Sequence, residues 1–121
     1  MSNRTIRIAE LIQRELGAYL HTRYQTEAVA ITVAGVEVAP DLKTGKIFFA
    51  ILGDETAADD QMRWLNRKAG EIRKELAQRV QIKHSPHWEF VLDRSTQRGN
   101  RVLDLLDRFA AEEKNRAPDA P

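Results

Sequence analysis

One helical stretch, residues 62–80, constrains the fold of this chain more than any other part of the sequence. Its apolar residues recur at steps of three or four, which places them along one face of an α-helix. These apolar residues are Met62, Leu65, Ala69, Ile72, Leu76 and Val80. Five basic residues lie off that face: Arg63, Arg67, Lys68, Arg73 and Lys74. The pattern predicts a helix that is buried on one side and positively charged on the rest.

Gly70 lies near the middle of this helix, where glycine costs roughly 1 kcal/mol of stability relative to alanine. Two interpretations stay open. Glycine is either tolerated or closely packed against a neighbour, or it marks a bend at which a phosphate backbone approaches. A bend would free backbone N–H groups at the start of the second half-helix, and such groups attract anions. With the basic residues around it, the sequence predicts contacts to phosphate and sugar that do not read bases.

The remaining chain alternates between helical and strand patterns. A first amphipathic helix is predicted at 5–20, followed by a polar connector at 21–28. Residues 29–38 alternate with period two and change phase at Gly35, which suggests a β-bulge. Turn-forming residues 40–45 lead to a second strand at 46–52, so an antiparallel hairpin is predicted. A third strand is predicted at 88–92, and a last helix carries apolar residues from Val102 to Phe109.

This order predicts an α+β fold with a three-stranded sheet and helices packed on one face. The 121 residues are 42% hydrophobic and 31% charged, which is ordinary for one globular domain. We expect one domain over 1–110 and a flexible C-terminal tail over 111–121. No apolar run approaches the roughly 20 residues of a membrane span. Because the first ten residues also lack the apolar stretch of a signal peptide, we expect a cytoplasmic protein without a membrane partner.

Motifs of enzymes and metal sites are absent from the sequence. It contains no GxGxxG, GxxxxGKS/T, GxSxG or HExxH. Without cysteine it offers no thiolate ligands, and His84 and His87 have no matching further ligands. We therefore expect no catalytic residues, no metal and no cofactor. Trp88 alternates with polar neighbours and is predicted to lie in the core, whereas Trp64 lies beside the apolar face and could stack on a base.

Three stretches of the chain, in this order and spacing, match the pattern of a known family. The first contains Val36-Glu37-Val38, Asp41-Leu42 and Lys46-Ile47-Phe48. The second contains Ala69-Gly70 followed by Ile72-Arg73. The third runs from Pro86 and Phe90 to Asp93, Ser95, Gly99 and Arg101, with Leu105 and Leu106 beyond. From roughly Arg4 to Phe109 the chain resembles the ribosome-binding factor A family.

The resemblance implies a type II KH-like domain, which agrees with the predicted order of elements. Ordinary KH domains clamp a nucleic-acid backbone with a GxxG loop, and this chain has none between its helices. The family instead has an Ala-x-Gly kink between two half-helices, and Lys68, Ala69 and Gly70 occupy these positions here. Lys68 departs from the family's alanine, and Gly45 also stands where members often carry alanine.

The resemblance also implies a function in late maturation of the small (30S) ribosomal subunit. Family members bind 16S rRNA and assist processing of its 5′ end, and they matter most in the cold. They catalyse no reaction themselves. An assembly GTPase helps to release them from the subunit. We expect a monomer. The candidate RNA-binding residues are Arg63, Arg67, Lys68, Ala69, Gly70, Arg73 and Lys74, with Arg4, Arg7 and Arg14 as secondary contacts. A general single-stranded RNA-binding module and a protein-interaction adaptor remain as alternatives.

Overall fold

Three helices and three strands make up the part of the chain that the computed structural model describes, residues 3–82 and 86–95. In chain order they are α1 (Asn3–Arg23), β1 (Ile31–Val38), β2 (Thr44–Ile51), α2 (Glu55–Arg67), α3 (Ala69–Arg79) and β3 (His87–Leu92). This order confirms the predicted α+β fold. The predicted last helix, the boundary at residue 110 and the predicted tail lie outside the described residues.

The sheet is mixed, with the strands in the order β1-β2-β3. β1 and β2 pair antiparallel, as predicted, and the register shifts between Val33 and Gly35, which confirms the bulge. β2 and β3 pair parallel. A parallel pair requires a crossover connection, and α2 and α3 together provide it.

Every described element contributes to a single hydrophobic core. The largest fully buried side chains are Trp88, Phe49, Ile12, Leu16, Leu20, Ile31, Ile47, Ile51, Leu65, Ile72 and Leu76. Buried residues recur at steps of three, four or seven on the helices and at every second position along most of β2. The helices therefore pack on one face of the sheet, and Trp88 lies in the core as the sequence predicted.

Two side chains of α1 cover part of the outer edge of β1. Gln13 donates a hydrogen bond from Nε2 to the carbonyl of Val33, at 3.0 Å. His21 donates from Nε2 to the carbonyl of Ile31, also at 3.0 Å. Because an open edge invites pairing with another strand, these bonds protect the first residues of β1, and they also tie α1 to the sheet.

The turn into α2 is defined by two adjacent residues. Gly53 has a φ of 120°, a conformation that favours glycine. Asp54 then caps the helix, since its Oδ1 accepts a hydrogen bond from the N–H of Ala57 at 2.8 Å. The direction of α2, and with it the position of the helix junction described next, is set at this turn.

Candidate nucleic-acid interface

The long helix predicted for residues 62–80 is two helices that meet at Lys68. Lys68 has a φ of −91° and a ψ of 1°, between the end of α2 and the start of α3. Its N–H still donates to the carbonyl of Trp64, and its own carbonyl accepts from the N–H of Ile72, both at 3.0 Å. The predicted kink is present, but the hypothesis that the break lies at Gly70 is wrong. Lysine can adopt this backbone conformation, so the break does not require glycine.

Gly70 is exposed in the first turn of α3. A Cβ built on this residue would meet no heavy atom within 4 Å. The described part of the chain therefore offers no neighbour that would need a glycine here, which removes close packing as an explanation. Two interpretations are left: glycine is tolerated, or it lets a partner approach the helix closely.

Exposed cations lie on both sides of this glycine. Arg63 and Arg67 are four residues apart on α2, and Lys74 lies four residues after Gly70 on α3, so each pair shares a helix side. Arg63 pairs with Asp60 at 3.3 Å, but the two side chains are 70% and 65% exposed, and such a pair contributes little stability. Arg67 and Lys74 form no ion pair with any described residue. We call Arg63, Arg67, Lys68, Gly70 and Lys74 the break surface.

Two of the predicted RNA-binding residues point into the domain instead. Ala69 is 7% exposed and belongs to the buried stripe of α3. Arg73 donates from Nη2 to the carbonyl of Trp88 at 2.8 Å, and its guanidinium lies 5.7 Å from the centre of the Phe90 ring. The Nε of Arg73 is buried without an acceptor among the described residues. Arg73 thus ties α3 to β3, and its predicted phosphate contact would require it to leave Trp88.

The predicted secondary contacts on α1 lie apart from the break surface. Arg4 and Arg7 line a groove of about 370 Å³ together with Val80, Gln81 and Ile82, beyond the end of α3. The length of α3 separates this groove from Lys68 by roughly 16 Å. Arg14 is exposed and lies 3.9 Å from Glu15. The structure therefore does not bring these three arginines together with the break surface into one compact site.

A cluster centred on Tyr24 lies beside the break, and sequence reasoning missed it. The Tyr24 side chain is almost fully buried, and its hydroxyl donates a hydrogen bond to Oε2 of Glu71. Its ring meets the half-buried ring of Trp64 edge-on, with 5.0 Å between the centroids. The guanidinium carbon of Arg23 and the Nζ of Lys68 lie 5.0 Å and 5.9 Å from the centre of the Tyr24 ring. The signal was the spacing of Leu16, Leu20 and Tyr24, which continues the apolar face of α1 into the predicted connector.

The charges in this cluster are coupled to its hydrogen bond. The pKa of Glu71 lies below its ordinary value, first because Tyr24 donates to the carboxylate and then because Lys68 and Arg23 are nearby cations. Burial raises the pKa of Tyr24, and the hydrogen bond to Glu71 raises it further. At neutral pH Tyr24 is thus a neutral donor and Glu71 an ionised acceptor. One negative charge consequently lies among the cations of the break.

The described residues offer little to other classes of site. Within 3–82 and 86–95, no group of three or more His, Cys, Asp or Glu side chains is arranged to hold a metal ion. None of the helices in that part of the chain combines the length and apolarity needed to cross a membrane.

The fold has known counterparts among solved structures. The crystal structure of ribosome-binding factor A from Thermus thermophilus matches with a TM-score of 0.65 at 20% identity, covering 75% of this chain and 98% of that chain. A Thermus thermophilus ribosome-binding factor A homology model, fitted into the cryo-EM map of a 30S–RbfA complex, matches with a TM-score of 0.56 at 23% identity, covering 70% and 90%. The fold is thus that of a small α+β domain shared with these structures, with a basic, broken pair of helices on its surface.

Sequence comparison leads to the particular family. The family model described as "Ribosome-binding factor A" matches residues 4–106. A ribosome-binding factor A from Opitutus terrae is 47% identical over 109 residues, which cover 90% of this chain and 89% of that protein. One from Thioalkalivibrio sulfidiphilus is 36% identical over 118 residues, covering 97% and 92%. The chain belongs to the ribosome-binding factor A family, which confirms the resemblance seen in its sequence.

Proposed function

We propose that this protein is a ribosome-binding factor that acts in late maturation of the small ribosomal subunit and binds 16S rRNA through the break surface. The observation that carries the proposal is the arrangement of Arg67 and Lys74 around Gly70. Both cations are exposed and unpaired among the described residues, and the glycine between them leaves room for another backbone. Membership of the family supports the choice of partner, as does the Thermus thermophilus relative fitted to a 30S–RbfA complex.

The chemistry of the break surface suits a phosphodiester backbone. Arginine and lysine neutralise phosphates and release counterions, which contributes affinity that does not depend on base sequence. Gly70 lacks a side chain, so a sugar-phosphate strand can approach α3 closely at this point. Since phosphate contacts carry no sequence information, selectivity for the immature subunit would come from the shape of the assembled rRNA.

Further parts of the proposal rest on the resemblance to the family. The protein acts by binding and not by catalysis, assists processing of the 5′ end of 16S rRNA, and matters most at low temperature. It works in the cytoplasm as a monomer, and an assembly GTPase helps to release it. Deleting the gene should therefore leave precursor 16S rRNA to accumulate, most strongly in the cold, and a normal precursor level would contradict this part of the proposal.

The direct test replaces the two unpaired cations. We expect Arg67→Gln combined with Lys74→Gln to weaken binding to isolated small subunits by about tenfold to a hundredfold at moderate salt. The slope of log K against log salt should fall by about 0.7 to 0.9 for each phosphate that the variant no longer neutralises. Co-sedimentation or a fluorescence titration over a series of salt concentrations measures both quantities.

The matched control is Lys43→Gln, which removes one exposed lysine from the turn between β1 and β2. It should leave affinity and slope unchanged. An unchanged slope for the double variant would place the rRNA contact elsewhere. Equal binding to free single-stranded RNA would favour a general RNA-binding module, and salt-insensitive binding would favour a protein-interaction adaptor.

A further inference from the structure

We infer that Arg23 is a further phosphate-binding residue of the break surface and that Tyr24 is the positioning residue that holds it there. This inference rests on the proposed function. It replaces the sequence-based choice of α1 contacts, because the structure brings the C-terminal end of α1 to the break and leaves Arg4 and Arg7 near the far end of α3.

Arg23 is placed and free to bind an anion. It is the last residue of α1, it is exposed, and it forms no ion pair with any described residue. Its guanidinium lies over the ring of Tyr24, the same ring that Lys68 approaches. Arg23 and Lys68 come from separate parts of the chain, and both place a cation over the Tyr24 ring. The end of α1 thus adds a cation to the break surface, next to those of α2 and α3.

Tyr24 is the buried residue that holds Arg23 and Lys68 in place. Its ring is buried against Trp64, and its hydroxyl is bound to Glu71 in the first turn of α3. The segment after α1 is thereby attached to both helices at their junction. Cations over an aromatic ring are attracted by its negative face, so the ring also restricts where Arg23 and Lys68 lie. A preorganised pair of cations loses less conformational entropy when it binds a phosphate.

Glu71 belongs to the same unit with the opposite effect on an anion. Its carboxylate accepts the Tyr24 hydrogen bond, but its charge opposes an approaching phosphate. Glutamine at this position would keep an oxygen acceptor for Tyr24 and remove the charge. The structure thus provides three variants with different expected effects. Arg23→Gln should weaken binding because a cation is lost, and Tyr24→Phe should weaken it because that cation is no longer held in place. Glu71→Gln should strengthen binding because a negative charge is lost.

The experiment measures binding of each full-length variant to isolated small subunits over a series of salt concentrations. Arg23→Gln should weaken binding about three- to tenfold and lower the salt slope by about 0.7 to 0.9, whereas Lys43→Gln should do neither. Tyr24→Phe keeps the ring and removes the hydroxyl. It should weaken binding about threefold with the slope unchanged, because the number of cations is the same. Glu71→Gln should tighten binding about threefold.

The outcomes separate this inference from the proposed function. If the wild-type protein does not bind small subunits, the proposed function fails. A second outcome is that wild type binds and that the double variant Arg67→Gln, Lys74→Gln binds more weakly. If Arg23→Gln then binds like the control Lys43→Gln, only the inference on Arg23 fails. Wild-type binding by Tyr24→Phe would overturn the positioning role of Tyr24. Unchanged or weaker binding by Glu71→Gln would overturn the opposing effect of the Glu71 charge. Thermal unfolding of each variant confirms that it is folded at the temperature of the binding assay. If Tyr24→Phe is unfolded there, Glu71→Leu is compared with Glu71→Gln, because both remove the charge and only glutamine keeps an acceptor for Tyr24. Equal binding by these two variants would overturn the positioning role.

Discussion

Gly45 of β2 pairs with Trp88 of β3 and lies in contact with its ring. A Cβ at residue 45 would lie 2.3 Å from Cζ3 and 2.7 Å from Cε3 of Trp88, and 3.0 Å from the carbonyl oxygen of Glu37. The resemblance placed Gly45 at a position where family members often carry alanine. The buried tryptophan explains the glycine, since the indole ring occupies the space that the methyl group of alanine would need.

At the residue scale, we predict that Gly45→Ala lowers the free energy of unfolding by about 1–3 kcal/mol through overpacking. Leucine at residue 88 would lack Cζ3 and Cε3, the two indole atoms that the methyl group of alanine would meet. In a Trp88→Leu background, the same Gly45→Ala change should therefore cost clearly less, because only the close contact with the carbonyl oxygen of Glu37 remains. Trp88→Leu itself is destabilising. Urea unfolding of the two single variants and the double variant measures this coupling.

The control is Gly35→Ala, because a Cβ at Gly35 would meet nothing within 4 Å. We expect it to change the free energy of unfolding by less than about 0.5 kcal/mol. Equal costs of Gly45→Ala with and without Trp88 would show that the indole ring is not the reason for the glycine.

At the scale of secondary-structure elements, the junction of α2 and α3 combines a break at Lys68 with a glycine that the described structure does not require. Helix α3 is tied to its neighbours by other residues. Arg73 attaches it to β3, and Arg79 pairs with Glu75 at 2.9 Å and with Glu15 of α1 at 3.3 Å. The position of the break surface thus follows from how α3 is held, and Gly70 can be changed without disturbing it.

We predict that Gly70→Ala has opposite effects on stability and on binding. Alanine should raise the free energy of unfolding by up to about 1 kcal/mol, because it favours the helix and its methyl group meets open space. The same methyl group should weaken small-subunit binding, because it would lie where the rRNA backbone approaches. Urea unfolding and co-sedimentation of one preparation measure the two effects.

Gly17→Ala is the matched control for this prediction. Gly17 is also helical, in α1, and a Cβ there would also meet nothing within 4 Å. It should stabilise the domain to a similar degree and leave binding unchanged. If Gly70→Ala binds as tightly as wild type, glycine is merely tolerated at residue 70.

At the scale of the whole molecule, the folded domain holds two carboxylates in states that favour ionisation. The pKa of Glu71 lies below its ordinary value because Tyr24 donates to the carboxylate and cations are nearby. The pKa of Asp93 lies below its ordinary value because the hydroxyl and the backbone N–H of Ser95 donate to it. Both groups link the stability of the entire fold to pH.

The sign of this linkage follows from proton binding. Each carboxylate has a lower pKa in the folded chain than in the unfolded chain. As the pH falls, the unfolded chain therefore binds more protons than the folded chain, and the free energy of unfolding decreases. The stabilisation by each carboxylate is fully present only above its unfolded pKa. We predict that the free energy of unfolding decreases as the pH falls below about 4.5, and that Tyr24→Phe makes this decrease smaller. Urea unfolding between pH 3 and 7 measures it, with Ser95→Ala as the corresponding variant for Asp93. The same pH dependence in wild type and Tyr24→Phe would contradict the link to Glu71.

Local patterns in the sequence were sufficient for the elements of the fold. Alternation with a phase change at Gly35 predicted β1 and its bulge, and the spacing of apolar residues predicted the helices. Trp88 was assigned to the core from its place in an alternating strand. For the described residues these predictions were correct, apart from the break that divides residues 62–80 into two helices. Strand and helix periodicities depend on residues that are close in sequence, which is why local patterns were sufficient.

The candidate site was predicted only in part. The exposed cations of α2 and α3 followed from helix periodicity, since a residue off the apolar face is exposed. Helix periodicity did not predict that Arg73 binds the Trp88 carbonyl. It also did not predict that Arg23 lies at the break.

By itself, the sequence determined the order of the described elements, which faces of their helices are buried, and the family to which the chain belongs. Only the tertiary structure decided where the helix breaks, which basic side chains remain available to an anion, and that Tyr24 joins the end of α1 to Glu71. The physical reason is distance along the chain. Tyr24 and Glu71 are 47 positions apart, and no periodic pattern specifies which side chains will meet once the helices have packed on the sheet.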